Sequence, residues 1–156
     1  MQEHRATIGM LAGAAGGAVA IGLMEAFSTR AAIPLMAIPF ATSIVLVMGS
    51  PDVEAAQPRA LVGGHIVATI VGLMVVKIAG PEPWAAALAV GLAIAAMHFT
   101  RTFHPPAGID PLLVVVNNMP WTFLLVPVAV GAVLLALFAF IWHLLMRRYS
   151  WPIRWW

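Results

Sequence analysis

The chain has 156 residues, of which 62% are hydrophobic and only 9% charged, with a formal net charge of +2 and a strongly positive mean hydropathy. A soluble domain carries roughly 25% charged residues, so this composition excludes an ordinary water-facing exterior and points to lipid as the solvent. The chain has no cysteine, which removes disulfides, thiolate nucleophiles and sulfur-ligated metal sites, and it has no basic face on which to hold a nucleic acid.

Crossing a hydrocarbon core of about 30 Å takes about 20 helical residues. Met1 to Thr7 lead into an apolar run longer than a signal-peptide core, with no clear cleavage site, so Ile8 to Phe27 is expected as the first span. Within it Gly9, Gly13 and Gly17 recur every fourth residue, widened by Gly16. Such a strip allows close backbone approach and is a candidate contact face between copies. The next run, Ala31 to Met48, is shorter and holds Pro34 and Pro39, with the hydroxyls of Thr42 and Ser43 after them. Proline removes a backbone donor, so a broken segment survives at membrane depth only inside protein or beside a wet cavity.

Ser50 to Arg59 is the most polar connection, an elbow with Asp52 and Glu54 ahead of Arg59. The span Leu61 to Ala79 follows, opened by Gly63, Gly64 and His65. The paired glycines permit tight packing or a ligand near the backbone. His65 is either functional or hydrogen-bonded to a neighbouring helix, because a polar ring is costly in lipid. A third span is expected at Trp84 to Phe99, short and flanked by Pro83 and Arg101, and a last one at Phe123 to Met146.

Between these two lies the sharpest constellation, Thr100 to Pro111, with the broken run Pro105 to Val116. It sets Arg101, His104 and hydroxyls before a helix break. A helix restarting near Ala107 would leave unpaired N–H groups and a positive dipole end beside His104, which attract anions. Arg59 and Arg101 would supply charge for capture, and His104 a proton if transport is proton-coupled. Asp110 spoils a simple anion cradle; it caps the helix, pairs with an arginine or takes part in proton transfer.

The fold class expected is therefore an all-α membrane protein with four firm transmembrane helices and two short proline-broken membrane segments, forming one transmembrane domain over 1–156. The run Met24 to Arg30 is echoed by Met97 to Arg101. That echo is either an inverted 3+3 repeat, with halves 7–80 and 84–146, or a coincidence of a narrow alphabet. If all six segments cross, Arg5, Arg59, Arg101, Arg147, Arg148 and Arg154 share the cytoplasmic side and Arg30 and Lys77 the other, as positive-inside bias favours. The expected location is a bacterial inner (plasma) membrane with both termini cytoplasmic. Trp84, Trp121, Trp142, Trp151, Trp155 and Trp156 suit an interfacial belt.

At these residues the sequence resembles the HPP family of integral membrane proteins, named for the tripeptide that stands here as His104-Pro105-Pro106. Pro39 to Ser43, Ser50-Pro51, Ala56 to Arg59, Gly63 to His65 and Thr100-Arg101 fall in the family's order and spacing. The chain departs from it at Ala41-Thr42, where Gly-Ala is usual, and at Ile109-Asp110-Pro111, where many members have Ala-Thr-Ala. The resemblance implies four spanning helices and small-anion transport, nitrite in plastid members. On this reading the small anion meets Thr42, Ser43, His65, His104, Gly108 and Asp110 near the midplane, after capture by Arg59 and Arg101.

A membrane anchor or regulatory subunit is the alternative function. Neither a nucleophile–base pair nor paired carboxylates stand at workable spacing, and His65, His98 and His104 would gather a metal only by tertiary accident, so no enzyme, metal or cofactor is expected. A protomer this small encloses little interior; a homo-oligomer, membrane lipid and a small inorganic anion are the expected partners.

Overall fold

The computed structural model describes residues 2–32, 37–146 and 150–155, and among them the apolar runs are helices with no strand. Pro34, Arg147, Arg148, Trp156 and the side chain of Arg5, used above, lie outside the described residues. The elements are α1 (Gln2–Ala31), a 3-10 turn (Ile38–Phe40) running into α2 (Ala41–Gly49), a second such turn (Glu54–Ala56), α3 (Pro58–Ala79) and α4 (Pro83–Phe99). After α4 come a third turn (Pro105–Gly108), α5 (Ile109–Val116), a wide turn (Leu124–Ala129) and α6 (Val130–Met146).

Proline starts these helices rather than breaking them. Pro58 and Pro83 stand in the first turns of α3 and α4, where the missing N–H has no partner to lose. Pro39 and Pro105 likewise open 3-10 turns, and Pro111 falls in the first turn of α5. The exception is Pro127 in the last span, where the helix opens at Val126 into extended backbone (φ −132°, ψ 118°). The sequence reading passed over this break.

Among the described residues three helices are long and apolar enough to cross a membrane: Thr7–Ala31, Pro58–Ala79 and Leu124–Met146. The expected fourth, α4, has 17 residues, about 25 Å at 1.5 Å per residue, and so groups with the short helices. The two halves share an order of elements, with α1 of 30 residues standing where α4 has 17.

α3 lies at the centre. On one side Leu73 and Val76 pack with Ala86 and Ala89 of α4 and Val114 and Val115 of α5. On the other, Leu61 joins Phe40, Ile44 and Val47 with Leu135 and Ala139 of α6. The glycine strip of α1 is used within the protomer: a Cβ on Gly13 would stand 2.5 Å from the Met48 carbonyl oxygen of α2. Trp142 donates from Nε1 to the Ala12 carbonyl (3.2 Å).

The chain ends of several helices meet at one end of the bundle. Arg59 donates to the Thr100 carbonyl (3.1 Å), and the Ile153 N–H to Gln57 Oε1 (2.9 Å). Trp151 leaves the expected belt: it is buried among core residues and donates from Nε1 to the Ala56 carbonyl (3.2 Å). Trp84, Trp121 and Trp155 are exposed.

Candidate functional site

Five polar side chains, Ser43, His65, Thr69, His104 and Asp110, are wholly buried in the middle of this apolar bundle. Ser43 comes from α2, His65 and Thr69 from α3, Asp110 from α5 and His104 from the link ahead of Pro105. His65 and Thr69 are four residues apart and therefore share a face of α3. The two prolines after His104 hold it extended (φ −130°, ψ 95°), as the residue before proline must be. That extended segment lies flat on α3 because Gly64 has no side chain: a Cβ there would stand 2.6 Å from His104 Cβ and 2.8 Å from the Thr102 carbonyl oxygen. Tight packing, not a ligand, fills the space at both paired glycines.

The polar groups form a continuous row. His104 Nδ1–H donates to the Ala55 carbonyl (2.6 Å), and its Nε2 lies 2.9 Å from Ser43 Oγ. Ser43 Oγ is 2.8 Å from His65 Nε2, and His65 Nδ1 is 2.7 Å from Asp110 Oδ2. Thr69 donates to that same oxygen (3.3 Å). Asp110 Oδ1 is buried and has no hydrogen-bond partner. The Phe40 ring closes one side, its centroid 4.7 Å from that of His65. Burying such groups is expensive unless each is hydrogen-bonded, and the row meets that condition everywhere except at Asp110 Oδ1.

Of the eight residues singled out from the sequence, the structure brings together Ser43, His65, His104 and Asp110. Thr42 is exposed, and Gly108 is half-buried with open space where a Cβ would stand. Arg59 and Arg101 stand apart, near the end of α4. The expected anion cradle at the restarted helix is not built: Pro105 and Pro106 have no N–H, and Ala107 N–H is taken by the His104 carbonyl (2.9 Å). Asp110 neither caps α5 nor meets an arginine; its partner is a histidine. Sequence reasoning missed Thr69 and the Ala55 carbonyl. Spacing from His65 would have found the first, and nothing local the second.

The expectation that no nucleophile–base pair forms is also overturned. Ser43, His65 and Asp110 have the order and contacts of a Ser–His–Asp arrangement. Ser43 Oγ, however, is fully buried and bracketed by a second imidazole, His104, so it has no open side for a substrate carbonyl. His98 is not part of the group, its ring stacking on Phe103 at 4.1 Å.

The Ala55 end of the row abuts a pocket of about 370 Å³ lined by Glu54, Ala55, Ala60, His98, Arg101 and Phe103. Arg101 is presented there by an unusual helix ending. Thr102 N–H bonds the Met97 carbonyl and Arg101 N–H that of His98, a Schellman closure whose left-handed position normally takes glycine. Here it takes arginine at φ 55°.

Residues 2–152 match the family described as HPP, transmembrane region. Two transmembrane proteins of Dictyostelium discoideum are similar over 126 residues, one 40% identical and the other 36%. The match takes in 75% of this chain but 40% and 44% of those proteins, so the chain spans less than half the length of the curated relatives it matches. No solved structure matches. The match over nearly its full length, together with its long apolar helices, makes the chain an integral membrane protein that belongs to the HPP transmembrane family.

Proposed function

We propose that the protein is a transporter or channel for a small anion such as nitrite. The observation that carries this reading is the buried polar row through Ser43, His65, His104 and Asp110. Ionisable side chains are rare in a membrane bundle and mark substrate or proton paths, whereas an anchor or regulatory subunit leaves such a row without a task. The anion is drawn to the pocket by Arg101 and His98, and Glu54 in the same lining limits how tightly it is held. Arg59 lies close by through its bond to Thr100.

The end of the bundle that carries Arg59, Arg101 and Arg154 faces the cytoplasm, following the positive-inside bias, and both chain ends lie on that side. The two relatives come from a eukaryote and so lend no support to a bacterial inner membrane. Copies of the chain associate on this reading, because a protomer this small encloses little interior beyond the buried row itself.

The test is anion uptake by proteoliposomes holding the full chain, comparing nitrite, nitrate, formate and bicarbonate for the wild type and His104→Ala. Saturable nitrite uptake that disappears in the variant is the expected result. Folded wild-type protein that moves none of the four removes the anion-transport reading.

A further inference from the structure

The two ends of the buried row differ, and its middle contains a fixed number of protons. At one end the Ala55 carbonyl only accepts, so His104 Nδ1 must carry hydrogen. At the other, Thr69 donates to Asp110 Oδ2, while Oδ1 is unpartnered and buried. Between these ends lie three contacts: His104 to Ser43, Ser43 to His65, and His65 to Asp110. Each needs one proton, and serine and both imidazoles can donate or accept.

Two arrangements satisfy all three contacts with the same three protons. In the first, Asp110 is protonated and donates to His65 Nδ1, His65 Nε2–H donates to Ser43, and Ser43 donates to His104 Nε2. In the second, every proton has moved one step along: His65 Nδ1–H donates to an Asp110 carboxylate, Ser43 donates to His65 Nε2, and His104 Nε2–H donates to Ser43. Going from first to second breaks three N–H or O–H bonds and forms three. Asp110 becomes an anion, His104 an imidazolium, and His65 and Ser43 stay neutral. An imidazolium at His65 facing the Asp110 carboxylate is the halfway point.

We propose that the Asp110–His65–Ser43–His104 row is a relay for a single proton, running between the unpartnered Asp110 oxygen and the pocket beside Ala55, and that the anion moves together with that proton. The inference rests on the transport reading above. His104 can release its Nδ1 proton toward the pocket only when the Ala55 carbonyl moves aside, so the Glu54–Ala56 turn gates the relay. The titratable and charged groups on the elements packed around the relay are Glu54, His98 and Arg101 in the pocket, Arg59 at the start of α3, bonded to the Thr100 carbonyl, and His143 of α6, tied to the Val47 carbonyl of α2 (3.1 Å). Run backward, the same row carries a proton from the pocket to Asp110; a full cycle in either direction needs water reaching Asp110 Oδ1 to supply or take that proton, after which the serine hydroxyl and the imidazoles return to their first hydrogen-bonding orientation.

The experiment measures anion uptake and internal pH together in proteoliposomes with a trapped pH dye, for the wild-type chain, Ser43→Ala and Asp110→Asn, each checked for folding by gel filtration and circular dichroism. Ser43→Ala cuts the row in its middle while sparing both ends, and Asp110→Asn keeps a hydrogen-bonding end that has no acid proton to pass. Proton uptake that accompanies anion uptake in the wild type, and falls to the level of empty vesicles in both variants, is expected. Anion uptake without proton movement overturns the relay and leaves the transport reading standing. Proton flux without any anion, lost in both variants, supports the relay and removes the anion. If Ser43→Ala folds and still carries protons at the wild-type rate, the row is not the path. Should one variant fail to fold, the other decides by the same readout.

Discussion

At the residue scale the buried row sets stability as well as chemistry. Removing one member of a buried ionisable pair leaves its partner unsatisfied in the interior and costs about 3–5 kcal/mol, whereas replacing both by apolar groups costs far less. His65→Leu is therefore expected to lower stability by about 3–5 kcal/mol, and the double variant with Asp110→Leu to recover most of that loss. Denaturant titration in detergent micelles, arranged as a double-mutant cycle, measures both. Ser43 provides an independent check on the nature of the row. Its hydroxyl is fully buried between two imidazoles, so a fluorophosphonate probe of activated serines leaves it unmodified. A labelled Ser43, seen by mass spectrometry, would replace the relay with a hydrolase.

At the element scale the site depends on the turns and contacts that bring short helices to α3. Gly64 lets the extended Thr102–His104 segment lie against α3, and a side chain there would meet a backbone oxygen that cannot retract. Gly64→Ala is expected to cost about 1–3 kcal/mol by overpacking and to displace His104 from Ser43. Gly91, in the interior of α4, has open space where a Cβ would stand, so Gly91→Ala is expected to raise stability by about 0.5–1 kcal/mol in the same unfolding assay. The ending of α4 gives an opposite pair of effects. Arginine at φ 55° stands where glycine is favoured, at a cost of about 1–2 kcal/mol. Arg101→Gly should therefore raise thermal stability while weakening anion uptake, whereas a purely structural Arg101 would show the first effect alone.

At the scale of the whole molecule the distribution of charge becomes a statement about orientation. The elbow at Asp52, the end of α4 and the C-terminal residues up to Arg154 are tied together at one end by the contacts of Arg59 and Gln57. α3 then runs from Pro58 to Ala79 toward the other end, where Glu82 is exposed. The absence of native cysteine makes this directly measurable. Asp52→Cys is expected to react with a membrane-impermeant maleimide only from the cytoplasmic side, and Glu82→Cys only from the opposite side. Labelling of both from one side would mean that α3 does not cross.

The sequence by itself determined the solvent, the helical class, the long apolar runs and the family, because these follow from composition and local order alone. It also singled out Ser43, His65, His104 and Asp110, although as separate suspects with Thr42, Gly108, Arg59 and Arg101 beside them. Asp110, noted as a departure next to the signature, proved to be the carboxylate end of the row. Only the tertiary structure decided which suspects meet, since the contacts span 22 residues from Ser43 to His65, 45 from His65 to Asp110 and 61 from Ser43 to His104. Periodicity within one helix predicts which face a residue occupies, but not which distant helix packs against that face. Thr69 was within reach of that periodicity. The Ala55 carbonyl, the Trp151 anchor and the left-handed Arg101 were not, because each is fixed by where another part of the chain comes to rest.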